Sequence, residues 1–216
     1  MDQRNASQYQ SFSSESEITL GVLKAIEGRQ SVTQRSLASE LGIALGLTNS
    51  YLKRCIKKGL IKVKQAPSNR YAYYLTPMGF AEKARLTAEY LSESVRFFRE
   101  AREEYNGLLI ACRDNDVRTI AFAGASDLAE IAAICAAELG VEITAIIDSK
   151  SSATTMAGLP VAPAIDRLAE LDAIIVTDLS DPQSTYDTYC RSIDPSQILA
   201  PPLLNITSQP CERKEG

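Results

Sequence analysis

Residues 31 to 76 hold the pattern that most limits the fold. Thr33 precedes Gln34 to Leu41, where Leu37 and Leu41 stand four apart, and Gly42 follows. Thr33 is a good helix N-cap and Gly42 a good stop. From Leu45 to Lys58, the residues Thr48, Leu52, Cys55 and Ile56 fall on one stripe, and Gly59 follows as a C-terminal signal. Leu60 to Lys64 alternates apolar and basic residues, 66–70 is turn chemistry, and Tyr71 to Leu75 is an aromatic-rich return strand. A helix, a Gly turn, a helix with a basic outer face and a two-stranded hairpin, in that order, predict a winged helix-turn-helix. The partner of such a unit is double-stranded DNA.

Charge supports the division of labour. The net charge of −4 hides two opposite halves. Residues 17–80 hold ten Lys and Arg against three Asp and Glu, a net of +7, and 118–216 hold six against fourteen, a net of −8. The basic half suits phosphates, and the acidic half should face away from them. The chain has no His, and its five cysteines, Cys55, Cys112, Cys135, Cys190 and Cys211, are scattered. That composition supports neither a Cys/His metal site nor a Cys-x-x-Cys pair, and it removes the commonest general base. No catalytic residue and no metal ligand is assigned, and the expectation is that the chain is not an enzyme. The N-terminus lacks a basic start followed by an apolar stretch, and no apolar run is long enough for a membrane helix. A cytoplasmic protein without a membrane partner is expected.

The chain of 216 residues is long enough for two small domains. Residues 1–16 read as a disordered polar tail and 17–80 as the DNA-binding domain, opened by a helix with Ile18, Val22, Leu23 and Ile26 at helical spacing and stopped at Gly28. Thr76-Pro77 starts another helix. Steps of four and three from Phe80 land on Ala84, Thr87, Leu91, Ser94, Phe98, Ala101, Tyr105, Leu108 and Cys112. This is the spacing of a coiled-coil seam, so 81–115 reads as a long linker helix that pairs two subunits, with packing inside one chain as the alternative. Residues 116–208 read as an α/β domain: strands at 119–123, 141–147 and 173–177, helices at 127–139, 164–171 and 182–192, and a last strand at 198–204. Residues 209–216 are a tail. The fold class is therefore an α+β winged helix-turn-helix, a long linker helix, and a small α/β Rossmann-like domain with a mostly parallel sheet.

On the third helix, Asn49, Ser50, Lys53, Arg54 and Lys57 lie on or near the outward stripe, where Asn suits adenine and Lys or Arg suits guanine or phosphate. Arg35 on the preceding helix, and Lys64, Asn69 and Arg70 on the wing with Lys62, complete the candidate DNA-binding set. Winged helices also serve as protein-interaction modules, so an adaptor is the alternative. Cys55 reads as a small core residue rather than a redox sensor.

Gln34 to Ile43, Leu47 to Lys53, Lys58-Gly59-Leu60-Ile61-Lys62 and Tyr74-Leu75-Thr76-Pro77-Met78-Gly79 together resemble the MarR superfamily, closest to its branch associated with exopolysaccharide gene clusters. The resemblance covers about 17 to 105 and implies a dimeric regulator of a pseudo-palindromic operator. In the second half, Gly124-Ala125-Ser126-Asp127-Leu128-Ala129 follows a strand with the spacing of a dinucleotide fingerprint, and Asp148 ends the next strand. Ser126 stands where that pattern wants Gly, and the charge of Asp127 opposes a phosphate. Gly124, Ala125, Ser126, Asp127, Leu128 and Asp148 form the candidate ligand set. With Ile146-Ile147-Asp148 and Gly158-Leu159-Pro160-Val161, the domain resembles the nucleotide-binding halves of sugar-modifying acyltransferases, and also redox-sensing repressors with an NAD-binding domain. The resemblance implies a nucleotide-sugar, with NAD(H) second. A ligand-free assembly domain stays open beside it.

Overall fold

Thr33 caps helix α2 (Gln34–Leu41) in a reciprocal box: its hydroxyl accepts from the Ser36 N–H at 3.0 Å, and the Ser36 hydroxyl accepts from the Thr33 N–H at 3.0 Å. Gly42 closes the helix in the left-handed region at φ 63°. In the computed structural model, residues 14–27, 32–66, 70–164 and 171–207 are described, with the side chains of residues 65, 66 and 70 left aside. The expectations for residues 1–13, Gly28, the wing tip at 67–69, most of the helix at 164–171 and the C-terminal tail lie outside the described residues, while residues 14–16, expected in the disordered tail, form the first turn of a helix. The chain divides into two compact units between Arg96 and Phe97.

The first unit continues with α1 (Ser14–Glu27), α3 (Leu45–Lys57) and an antiparallel pair, β1 (Ile61–Ala66) with β2 (Arg70–Leu75), whose register places Ile61 opposite Leu75. Leu23, Leu37, Leu52, Ile61 and Leu86 form its dry centre. Thr76 ties the base of the wing to α4 (Pro77–Asp114). Its hydroxyl donates to the Gly59 carbonyl at 2.7 Å and accepts from the Gly79 N–H at 3.0 Å. A Cβ on Gly79 would sit 2.1 Å from the Leu60 carbonyl oxygen, so only Gly allows helix and wing to meet so closely.

The second unit is a sheet in the order β5-β6-β4-β3-β7-β8, parallel except for the β5–β6 edge pair. Its strands are β3 (Ile120–Ala123), β4 (Ile143–Ile147), β5 (Thr155–Met156), β6 (Leu159–Ala162), β7 (Ala173–Val176) and β8 (Ile198–Leu199). Both faces are covered, as a parallel sheet requires. Ile120, Phe122, Ile146 and Ile175 pack under α5 (Asp127–Leu139) and under Ala101, Tyr105, Leu109 and Cys112 of α4. Ala121, Ala123, Ile147 and Ile174 face the other way, against Tyr189 of α6 (Pro182–Cys190) and Ile193. The alternation is the period-two pleat of a strand buried on both sides.

Three further expectations change. The helix expected as a linker of its own runs from Pro77 to Asp114 and serves both units: Leu86 is buried in the first core, and Ala101, Tyr105, Leu109 and Cys112 in the second. The lower part of the expected seam thus packs within this chain. The hairpin of β5 and β6 was not expected, because a two-residue strand paired at only two positions around Gly158 (φ 79°) is too short to show alternation. The last strand stops at Leu199 instead of 204, since Pro201 and Pro202 cannot donate to a ladder and begin a 3-10 turn instead. Among the described residues, no helix is long and apolar enough to cross a membrane.

Candidate nucleic-acid interface and C-terminal cleft

Helix α3 is held from inside by Thr48, Leu52 and Cys55, all buried. That stripe turns Ser50, Lys53, Arg54 and Lys57 to solvent. Lys53 and Lys57 are exposed along the helix. Arg54 is engaged: its guanidinium pairs with Glu15 of α1 and lies 5.4 Å from the Tyr51 ring centroid. The Ser50 hydroxyl donates to the Gly46 carbonyl at 3.0 Å and stays exposed. Asn49 is half-buried, and its Oδ1 is shielded without a hydrogen-bond partner. To reach a base it must turn outward. Arg35 on α2 and Lys62 and Lys64 on β1 are exposed. Arg70 begins β2 with its side chain undescribed, and Asn69 lies outside the described residues.

Reasoning from spacing missed the exposed Tyr71 and Tyr74 on the wing and Leu47 at the start of α3. Such residues can stack on sugars or meet a thymine methyl. The two tyrosines stand three apart, on opposite faces of β2, so strand alternation alone does not mark both as exposed. Burial pushes the Cys55 thiol up, with Lys58 and Arg54 pulling the other way, so Cys55 is a weakly acidic core group.

The second site lies at the carboxyl ends of β3, β4 and β7. Gly124 follows β3 at φ 110°, and a Cβ there would come within 2.6 Å of the Asp178 backbone. Glycine is needed here so that the end of β7 can approach. The Asp148 carboxylate accepts from the Ala125 N–H at 2.9 Å and from the Lys150 and Ser151 N–H groups at 2.8 and 3.1 Å. Ser126 caps α5, accepting from the Leu128 N–H at 3.1 Å, and donates its own proton to the Thr177 carbonyl. Asp127 is exposed in the first turn of α5, and the Leu128 side chain is buried in the core.

A cleft of about 120 Å³ opens among Gly124, Asp148, Lys150, Asp178, Thr188 and Tyr189, with Ile147, Ser149, Ser184 and Thr185 at its walls. Gly124 and Asp148 of the expected ligand set meet there, while Ala125, Ser126, Asp127 and Leu128 do not line it. Asp178 and Tyr189 carry no motif. The signal that could have found them is the rule that parallel strands offer a crevice at their carboxyl ends. The Asp178 carboxylate accepts from the Ser180 and Asp181 N–H groups at 2.7 and 3.3 Å and from the Thr185 hydroxyl at 2.6 Å. Burial alone would raise it, but the Thr185 hydroxyl, these two N–H groups and Lys150 outweigh burial and hold it below the usual carboxylate range. Burial, then Asp148 and Asp178, push the Tyr189 phenol up to about 12.

Residues 15–62 match the winged helix-turn-helix DNA-binding family, so the chain carries a winged helix-turn-helix DNA-binding domain. No curated protein matches the chain. Among solved structures, the PcaV transcriptional regulator of Streptomyces coelicolor, in complex with its natural ligand, is 20% identical over 38% of this chain and 59% of its own, with a TM-score of 0.35. This chain thus spans less than two thirds of that regulator. MepR, a transcription regulator of the Staphylococcus aureus multidrug efflux pump MepA, is 22% identical over 48% of this chain and 76% of its own, with a TM-score of 0.36. Human N-acetylserotonin methyltransferase, in complex with SAM, is 16% identical over 86% of this chain and 75% of its own, with a TM-score of 0.34. The last similarity is to an enzyme. It contradicts the sequence-based expectation that the chain is not one, and that expectation is withdrawn.

Proposed function

We propose that this protein is a MarR-type transcription regulator that binds operator DNA as a homodimer and senses a small metabolite in its C-terminal domain. The outward face of α3 carries the reading: Lys53 and Lys57 stand exposed on a helix fixed from behind by three buried residues, with Lys62 and Lys64 beside it on the wing. A second copy is the fitting partner for α4. Its residues Leu91, Val95 and Phe98, at steps of four and three, are 56%, 46% and 38% exposed, with Phe97 next to them. One recognition helix reads one half-site, and a two-fold pair of chains reads a pseudo-palindrome. The sensing role rests on the cleft at the strand ends, the place where open parallel sheets take ligands. Polysaccharide genes are the targets that the family resemblance suggests.

The test is a gel shift of the full chain on the promoter of its own gene cluster, with and without nucleotide-sugars, NAD(H) and S-adenosylmethionine. The expected result is a salt-sensitive, sequence-specific complex whose affinity moves with one metabolite. Equal affinity for the promoter and for unrelated DNA would defeat the reading. A specific complex that no small molecule perturbs would leave the regulator and remove the sensor.

A further inference from the structure

We infer that the cleft at the ends of β3, β4 and β7 holds a single neutral sugar ring through its hydroxyl groups and does not hold a phosphate. The inference rests on the sensing role proposed above and names the ligand class.

The topology locates the crevice. From β3 the chain crosses through α5 to β4 on one side, and β7 pairs with β3 on the other. At such a reversal the carboxyl ends of the strands part. The cleft draws on all three strand ends and on α6.

A phosphate at this place needs open N–H groups at the start of α5. Here four of the N–H groups around the turn are spent within the chain. The Gly124 N–H donates to the Ile147 carbonyl, that of Ala125 to Asp148, that of Leu128 to the Ser126 hydroxyl, and that of Ala129 to the Ser126 carbonyl. Asp148 fills the anion position with a carboxylate of this chain. Asp127 and Glu130 add negative charge to the first turn of α5. The missing Cβ of Gly124 serves the approach of Asp178, not of a ligand. A phosphate in the cleft would meet two carboxylates, Asp148 and Asp178, against one ammonium, Lys150.

The same lining suits hydroxyls. A carboxylate offers about four acceptor directions. Asp148 uses three of them within the chain, and so does Asp178. Each keeps about one for a ligand O–H. Lys150 and the hydroxyls of Ser184, Thr188 and Tyr189 supply donors and further acceptors around them. Two carboxylates do not hold a metal ion alone, and among the described residues no cluster of three such groups forms. Size agrees: about 120 Å³ is room for one ring. Pockets that enclose drug-sized ligands run to roughly 300–1,000 Å³, so the cleft encloses one ring and not a whole dinucleotide.

The experiment is ligand-observed NMR and calorimetry on the full chain with glucose, galactose, mannose, N-acetylglucosamine, uridine and adenosine, each beside its monophosphate. At least one neutral ring should bind, and its monophosphate should bind about tenfold more weakly or not at all, a difference of about 1.4 kcal/mol. Tyr189→Phe keeps the packed ring and removes one hydroxyl, so it should weaken binding at an unchanged melting temperature. Lys150→Ala should weaken it too. A monophosphate that binds as well as or better than its parent overturns the inference. So does silence across the panel, or unchanged affinity in both variants. Where a ring binds and operator affinity does not move, the sugar site stands and the sensing role falls.

Discussion

The phenol of Tyr105, on the C-terminal part of α4, donates a 2.9 Å hydrogen bond to the carbonyl of Val176, the last residue of β7. Tyr105 is fully buried, and burial drives its phenol far above the ordinary tyrosine value, so it remains a donor at every working pH. The bond satisfies a strand-end carbonyl inside the core. Tyr105→Phe should therefore cost about 1–3 kcal/mol, the penalty for a buried acceptor left without a partner. Tyr105→Ala should cost about 3–5 kcal/mol through the cavity it adds. Urea denaturation followed by circular dichroism reads both. A Phe variant as stable as the parent would mean that another donor replaces the phenol.

The ion pair of Arg54 with Glu15 bears on DNA binding. Exposed pairs contribute little stability, about 0–1 kcal/mol, so removing it should leave folding intact. Glu15→Gln frees the guanidinium for phosphate. Operator affinity should rise, and the slope of log K against log salt should steepen by about 0.9, the equivalent of one added phosphate contact. Lys53→Ala should shift the slope by a similar amount the other way. Fluorescence anisotropy across a salt series measures both. If both variants keep the parent slope, this face of α3 does not meet phosphate.

Assembly is expected to depend on the middle of α4. Phe98→Glu places a charge in the proposed seam, and it should shift the protein toward monomer with little effect on either core, because Phe98 is 38% exposed in the single chain. Sedimentation or light scattering at micromolar concentration decides. A parent protein that is monomeric there removes the dimer. Tyr105→Phe serves as the control: its side chain is committed to the α/β core, so it should not change the mass.

The winged helix was legible because its signals are local. Thr33, Gly42, Gly59 and Thr76-Pro77 set element ends by backbone chemistry that acts within a few residues. The seam on α4 was only half legible. Spacing marks which residues share a face, but Ala101 and Tyr105 meet their own sheet while Leu91 and Phe98 remain exposed, and periodicity does not name the partner. Asn49 illustrates the same limit at finer scale, since it sits beside the outward stripe yet has its Oδ1 shielded. In the cleft, Gly124 and Asp148 came from a motif. Asp178 and Tyr189 come from residues far along the chain that only the sheet order brings beside Gly124.

Asp178 also sets a pH dependence. Burial alone would raise its carboxyl, but the Thr185 hydroxyl, the Ser180 and Asp181 N–H groups and Lys150 together hold it below the ordinary value. Asp172, fully exposed, is lowered in the same direction by the Thr119 and Arg118 N–H groups. A carboxyl lowered in the folded state contributes stability above its unfolded pKa of about 3.9, and that contribution is lost as pH falls through the folded value. The melting temperature of the full chain should therefore be flat with respect to these groups near neutrality and should fall as pH drops below about 4. Asp178→Asn cannot ionise, so it should be less stable than the parent at neutral pH, and the gap should narrow as pH falls below about 4, where the carboxyl of the unfolded parent takes up its proton first. Thermal melts of both proteins between pH 3 and 7 test this. A gap of constant size across that range would show that Asp178 acts by packing alone, with no contribution from its charge.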